Sequence, residues 1–143
     1  MQHKPFLIRG ATWQADRAEL ERVRRQVFIV EQKIPESEEW DDADENSSHV
    51  LVFSEKRDAV GTGRLEQTGK IARLAVLAEY RGQGVGSAML IRLVEEARQR
   101  GFTKVYLHAQ THALNFYKKF GFVSDEKIFS EGGIPHVLAR LDL

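Results

Sequence analysis

The 143-residue sequence contains no cysteine. A disulfide framework, a cysteine-ligated zinc site and a cysteine nucleophile are therefore excluded. There is no charge excess either, because 21 basic side chains are matched by 21 acidic ones. The basic surplus that marks most nucleic-acid binders is missing. No run is long and apolar enough to cross a bilayer, and the opening MQHKPFLIRG lacks the apolar stretch of a secretory signal. The expectation is a cytoplasmic protein whose partners include neither membrane nor nucleic acid. No internal repeat or low-complexity linker is visible, and the length suits one domain over residues 1–143. The five histidines are scattered without metal-ligand spacing, so no metal is expected.

What remains is a balanced globular composition, 42% apolar and 29% charged, sufficient for one substantial core. FLIRGAT (6–12) reads as a first strand. Ala18, Val23, Val27 and Val30 recur at roughly helical spacing, which predicts a helix from Ala15 to Val30 that ends before Pro35. PESEEWDDADENSS (35–48) reads as an acidic loop. HVLVF (49–53) is a strand, and 59–77 reads as a hairpin turning at Thr68-Gly69-Lys70. Val85, Met89, Leu93 and Ala97 recur every fourth residue, placing a helix from Gly84 to Arg100 with Gly101 as its stop. KVYLHA (104–109) is a strand. Thr111 is the expected cap of a short helix, HALNFYKKF, that Gly121 stops. FVSDE and IFSE lead to a last strand, PHVLARLDL. The order is mixed α/β.

The segment RGQGVG (81–86) stands where a strand runs into the long helix. Glycine is costly to order, but it leaves backbone N–H groups open to a ligand. A helix start has unpaired N–H groups and a partial positive charge. Bare backbone there suits a phosphate, and Arg81 adds a cation. A tight turn explains the glycines equally well. The dinucleotide fingerprint G-x-G-x-x-G does not fit Gly82, Gly84 and Gly86, and the P-loop lysine is absent.

RLAVLAEYRGQGVGSAML (73–90) resembles the acetyl-CoA-binding motif of the GNAT superfamily of N-acetyltransferases, [QR]-x-x-G-x-[GA], with Arg81, Gly84 and Gly86 in its defining places. NFYKKFGF (115–122) resembles the superfamily's later motif, a helix with an asparagine and a tyrosine before a Gly-Phe turn. VFIVEQKIPESEEWDDADENSSHVLVF (27–53), LHAQTHALNFY (107–117) and EGGIPHVLARL (131–141) are similar to its ElaA-like or YjcF-like branch. The resemblance implies a curved, mostly antiparallel mixed sheet flanked by helices. A V-shaped split would open between two central parallel strands, here 70–77 and 104–109.

The resemblance further implies transfer of an acetyl group from acetyl-CoA to a primary amine by direct attack, with no metal. The backbone of Arg81, Gly82, Gln83, Gly84, Val85, Gly86 and Ser87 would hold the cosubstrate's pyrophosphate. Leu74, Ala75 and Val76 would pair with its pantetheine arm, and Asn115 would position it. Val76 N–H would face the thioester oxygen as an oxyanion donor. Tyr117 is the candidate general acid, since a phenol is protonated at neutral pH. Glu31, His49, His108 and His136 are the candidate bases, Glu31 foremost; an ordered water is the alternative. The acidic loop reads either as a solvated loop or as an attractor for a cationic amine. A calcium loop is excluded, because Ser47 stands where the EF-hand needs glycine and Phe53 where it needs glutamate. Trp40 is expected to anchor the loop or line the acceptor pocket. The acceptor reads as a small-molecule amine, with a protein amine as the alternative and a homodimer as the expected assembly. Two rivals stay open: a non-catalytic acyl-CoA-binding sensor or partner subunit, and a phosphate-binding module unrelated to coenzyme A.

Overall fold

The structure, a computed structural model, describes residues 5–143. Its first half is a four-stranded antiparallel sheet of β1 (Leu7–Ala11), β2 (Ser48–Phe53), β3 (Ala59–Leu65) and β4 (Ile71–Val76), in that spatial order. Its second half is a three-stranded antiparallel sheet in the order β5 (Lys104–Gln110), β7 (Ile134–Asp142), β6 (Val123–Glu131). The halves meet along β4 and β5, which run parallel. They join at one bridge, Lys70 with Tyr106, where Tyr106 N–H donates to Gly69 O at 3.1 Å. Beyond that bridge the strands separate, so the expected split is present.

Two apolar layers cover the first sheet. Helix α3 (Val85–Gln99) lies on one face, with Met89, Leu90, Leu93 and Ala97 packed on Val50, Val52, Val60 and Leu107. It comes so close that a Cβ on Gly61 would stand 2.9 Å from Val85 Cγ1, and one on Gly63 would stand 3.1 Å from Leu93 Cδ1. The glycines of β3 are therefore contact residues. Helix α1 (Trp13–Arg24) covers the other face, with Leu20 and Val23 against Leu51, Ala59 and Ala75. Thr12 caps it, its hydroxyl accepting from Ala15 N–H at 3.1 Å.

The predicted helix to Val30 is continuous only as far as Arg24. Residues Arg25–Glu31 form a π-helical segment, closed by Gln32 N–H donating to Val27 O at 3.0 Å. The wider turn rephases the chain, and Val27, Phe28, Glu31 and Gln32 face the gap between the sheet halves. Thr111 is not the expected cap: Thr111–Ala113 form a 3-10 turn, and α4 (Leu114–Lys118) starts after Ala113 without a side-chain cap.

The largest departure is the acidic segment, which is not a solvated loop. It forms a short helix α2 (Glu36–Glu39) and a 3-10 turn (Asp44–Asn46). Glu39 and Asp44 are each only 2% exposed, beside Arg24 and Arg64 at 1%. Arg24 donates to Glu39 Oε2 at 2.8 Å and to Asp44 Oδ1 at 2.7 Å. Arg64 donates to Asp44 at 2.8 Å, to Asp41 at 2.9 and 2.7 Å, and to Glu66 at 2.9 Å. Trp40 anchors the segment, with Arg24 and Arg25 over its ring at 5.1 and 5.5 Å. Glu39, Asp41 and Asp44 are thus spent on arginines of the protein itself. Mean burial alone would push the Glu39 carboxyl up, and it does stand above its ordinary value despite Arg73 and Arg24. Asp41, nearer solvent, resists the same burial, because its bonds from Arg64 keep it below the ordinary carboxylate range.

Removing one partner of a buried ionic network leaves uncompensated charge. Asp44→Ala should lower the free energy of unfolding by about 3 kcal/mol or more. Asp125→Ala, which breaks the exposed pair with Arg140, should cost less than about 1 kcal/mol. Urea denaturation of both variants checks the contrast, and equal costs would refute it.

His49 belongs to this network and not to the gap. It is 4% exposed, its Nε2 bonds Asp44 O at 2.9 Å, and its ring stacks on Trp13. This corrects its candidacy as a base. Burial holds the imidazole below its ordinary value of 6.5. The unfolded chain therefore binds that proton more readily, and the stability His49 contributes is present above about pH 6.5 and fades as pH falls. The difference in unfolding free energy between wild type and His49→Gln should shrink from pH 7.5 to pH 5. A difference independent of pH would contradict this.

Candidate active site

The gap between β4 and β5 is a cavity of about 950 Å³. Its walls come from every element that meets the split. Ile71–Val76 form one side, and Leu107, His108 and Gln110 the other. Phe116 and Tyr117 of α4 stand at one end with Gly86. The π-helical segment and the turn between β6 and β7 close the opposite face.

Strand β4 changes phase inside this site. Ile71 packs into the α3 layer, while Ala75 packs into the α1 layer, although regular alternation would put both on one face. The change occurs at a bulge, where the pairing with β3 jumps from Arg64–Ala72 to Thr62–Ala75. Arg73 sits there at φ +56°, a left-handed conformation that a non-glycine residue adopts rarely. Its guanidinium is tied to the acidic segment, donating to Glu39 Oε2 at 3.0 Å and to Glu39 O at 2.8 Å. The clamp holds the strained residue in place.

Past the bulge, Leu77 N–H donates to Val60 O at 2.9 Å. Alternation then turns the N–H and C=O of Val76 away from β3 and into the gap. The Val76 carbonyl accepts from Arg81 Nε at 2.9 Å. The backbone at the open end follows from Gly82 and Gly84, at φ +75° and +84°, where an added Cβ would meet nothing within 4 Å. Gly84 is the N-cap of α3 and has no side chain to occupy the free N–H groups. Gly86 is helical and faces Phe116 and Val76. Of the remaining sequence candidates, Val85 is the buried first residue of α3, Gln83 Nε2 donates to Glu79 O at 3.3 Å, and Ser87 lies in the first turn of α3.

Tyr117 lines the cavity within an aromatic group, edge-on to Phe116 and Phe122 with centroids at 5.1 and 5.9 Å. Burial pushes its phenol up to about 12. It is a proton donor throughout the neutral range. Asn115, one residue from Phe116, is exposed and does not line the cavity.

Glu31 also lines the cavity, but Arg81 holds it through two bonds of 2.6 and 2.7 Å. Arg81 lowers its carboxyl below the usual range against the opposing effect of burial. A carboxylate so paired is a poor proton acceptor, which weighs against Glu31 as the foremost base. The sequence also missed a carboxylate. Glu131, near the β6–β7 turn, accepts from His108 Nδ1 at 2.9 Å and lies 3.8 Å from His136 Nε2. Its EGG setting entered the sequence reading only through the branch resemblance of EGGIPHVLARL (131–141). Among the described residues, no cluster of metal-ligating side chains occurs, and no helix is long and apolar enough to cross a membrane.

A sheet split between two parallel strands, with glycine-rich backbone leading into a helix beside the split, defines a class of α/β domain with a cleft between its sheet halves. The comparisons narrow this. Residues 15–143 match the model of the acetyltransferase (GNAT) domain, and the chain belongs to that family. It is 40% identical over 124 residues to YjcF of Bacillus subtilis (strain 168), described as an uncharacterized N-acetyltransferase, covering 84% of this chain and 88% of that one. It is 32% identical over 124 residues to protein ElaA of Escherichia coli (strain K12), covering 81% and 80%. The crystal structure of Escherichia coli ElaA superposes with a TM-score of 0.86 at 25% identity, covering 96% of this chain and 100% of that one. The expected branch is thus borne out.

The pairing of Glu31 with Arg81 yields a binding prediction. Glu31→Gln should free the guanidinium and tighten acetyl-CoA binding about two- to fivefold, as expected for a partly exposed ion pair. Isothermal titration measures it, and weakened binding would show that Glu31 instead holds Arg81 ready.

Proposed function

We propose that this protein is an N-acetyltransferase that moves an acetyl group from acetyl-CoA to a primary amine, by direct attack in a ternary complex. The observation that carries the proposal is the gap between β4 and β5, with Val76 turned into it and Tyr117 at its end. A thioester bound there supplies the electrophilic acetyl carbon.

The chain's own residues supply the rest. The backbone from Gly82 to Ser87 presents N–H groups to the pyrophosphate, and Arg81 adds its charge once it leaves Glu31. Leu74, Ala75 and Val76 offer strand edge to the pantetheine arm. Val76 N–H stabilises the oxygen that gains charge as the carbonyl is attacked. Tyr117 gives its proton to the leaving sulfur, a task that its raised pKa suits at neutral pH. Asn115 can reach the arm only from the exposed side of α4. The acceptor is a small-molecule amine, the site of action the cytoplasm, and the assembly a homodimer.

Titration with acetyl-CoA, NADH and ATP tests the first step, and selective micromolar binding of acetyl-CoA is expected. Thiol release with a panel of spermidine, glucosamine and lysine tests the second. Tyr117→Phe should lower kcat at least about 30-fold while acetyl-CoA binding stays within about twofold. Undiminished kcat in that variant would remove Tyr117 as the acid. Binding without thiol release from the wild type would favour a sensor over an enzyme.

A further inference from the structure

The alternation of β5 divides its side chains between two faces. Val105, Leu107 and Ala109 enter the α3 layer. His108 therefore points to the opposite face, as does Gln110. There Gln110 exchanges hydrogen bonds of 2.9 and 3.3 Å with Gln32 of the turn after the π-helical segment. On the same face, the β6–β7 turn packs on Ile34, which stands 3.2 Å from where a Cβ of Gly132 would lie. These residues line the same cavity as Val76, Gly86 and Tyr117.

His108 is oriented inside that cavity. Its Nδ1 meets Glu131 Oε1 at 2.9 Å, and Phe129 packs edge-on to its ring at 5.1 Å. An ionised carboxylate only accepts, so Nδ1 carries the proton and the Nε2 lone pair is left free. Burial pushes the Glu131 carboxyl up, yet the bond from His108 holds it below the ordinary range, so it remains ionised. Charged or titratable neighbours of the pair include His136 on β7, Lys70 at the bridge and Tyr106 on β5, and His112, Glu31, Arg73 and Arg81 line the same cavity. His136 is committed elsewhere, its Nδ1 bonding Ile134 O at 2.7 Å and its ring stacked on Phe129.

We propose that His108 is the general base of the acceptor site and that Glu131 is its positioning residue. This rests on the acetyl-transfer reading above. As the amine nitrogen bonds to the acetyl carbon, it must lose a proton, and His108 Nε2 takes it. The carbon–sulfur bond then breaks, and sulfur takes the proton of Tyr117. The proton on His108 returns to the Tyr117 phenolate through solvent, so each group ends as it began. An amine that arrives as ammonium first releases one further proton to solvent.

The test has a ligand-free arm and a kinetic arm. Long-range proton–nitrogen correlation spectra of the free protein should find His108 protonated on Nδ1 and bare on Nε2. Glu131→Ala should abolish that preference, and Glu131→Gln, whose amide oxygen still accepts, should keep it. A wild-type His108 protonated on Nε2 would overturn the proposal outright. In thiol-release assays with the panel amine that reacts fastest, His108→Gln should lower kcat about 100-fold with acetyl-CoA binding unchanged by titration. Added imidazole should restore part of the rate. Unchanged kcat in His108→Gln would overturn the proposal while leaving acetyl transfer standing. Failure of the wild type to bind acetyl-CoA would instead fell the underlying reading, whatever the tautomer.

Discussion

The left-handed backbone of Arg73 is the constraint on which the site depends. One residue out of phase in β4 lets Ile71 fill the α3 layer and Ala75 the α1 layer. The same step carries the strand away from β5, so the gap can open after a single bridge at Lys70 and Tyr106. Such a conformation costs of order 1–3 kcal/mol and persists only where its surroundings enforce it. Here the enforcement is ionic: Glu39 takes the Arg73 guanidinium by both its carboxylate and its carbonyl.

That link explains why so much charge is buried. Arg24 comes from α1, Arg64 from β3 and Arg73 from β4, and the segment from Glu36 to Asp44 binds all three. Buried ion pairs seldom stabilise more than a well-packed apolar core would. Their benefit here is directional, because each bond fixes an angle as well as a distance. The segment thereby ties the first helix, the central strand and the bulge into one unit, and the π-helical turn follows directly from Arg24 into the cavity.

The cleft has two chemically distinct sides. On the α3 side the wall is mostly backbone, with the glycines 82 and 84 before the helix and the edge of β4 at Val76. On the other side it is mostly side chains, with His108 and Glu131 set by strand alternation and by the β6–β7 turn. Arg81 and Glu31 bridge the two sides at the mouth.

The amphipathic spacing of Val85, Met89, Leu93 and Ala97 was enough to place α3, because periodicity is a local property. The glycines 82 and 84 could be placed at a helix start for the same reason, and the two motif resemblances located Tyr117. The ion pairs were not legible. Glu39 and Asp44 look like solvent-facing acids until Arg24, 15 and 20 residues away, is folded against them. The Glu131–His108 contact joins positions 23 residues apart, and no local pattern encodes it. The sequence by itself determined the strands, the long helix α3 and the glycine-rich stretch that leads into it, since those follow from neighbours along the chain. Which carboxylates are spent in the interior, which histidine is turned into the cleft, and where β4 breaks phase were decided only by tertiary structure, because each depends on charges brought together from distant parts of the chain.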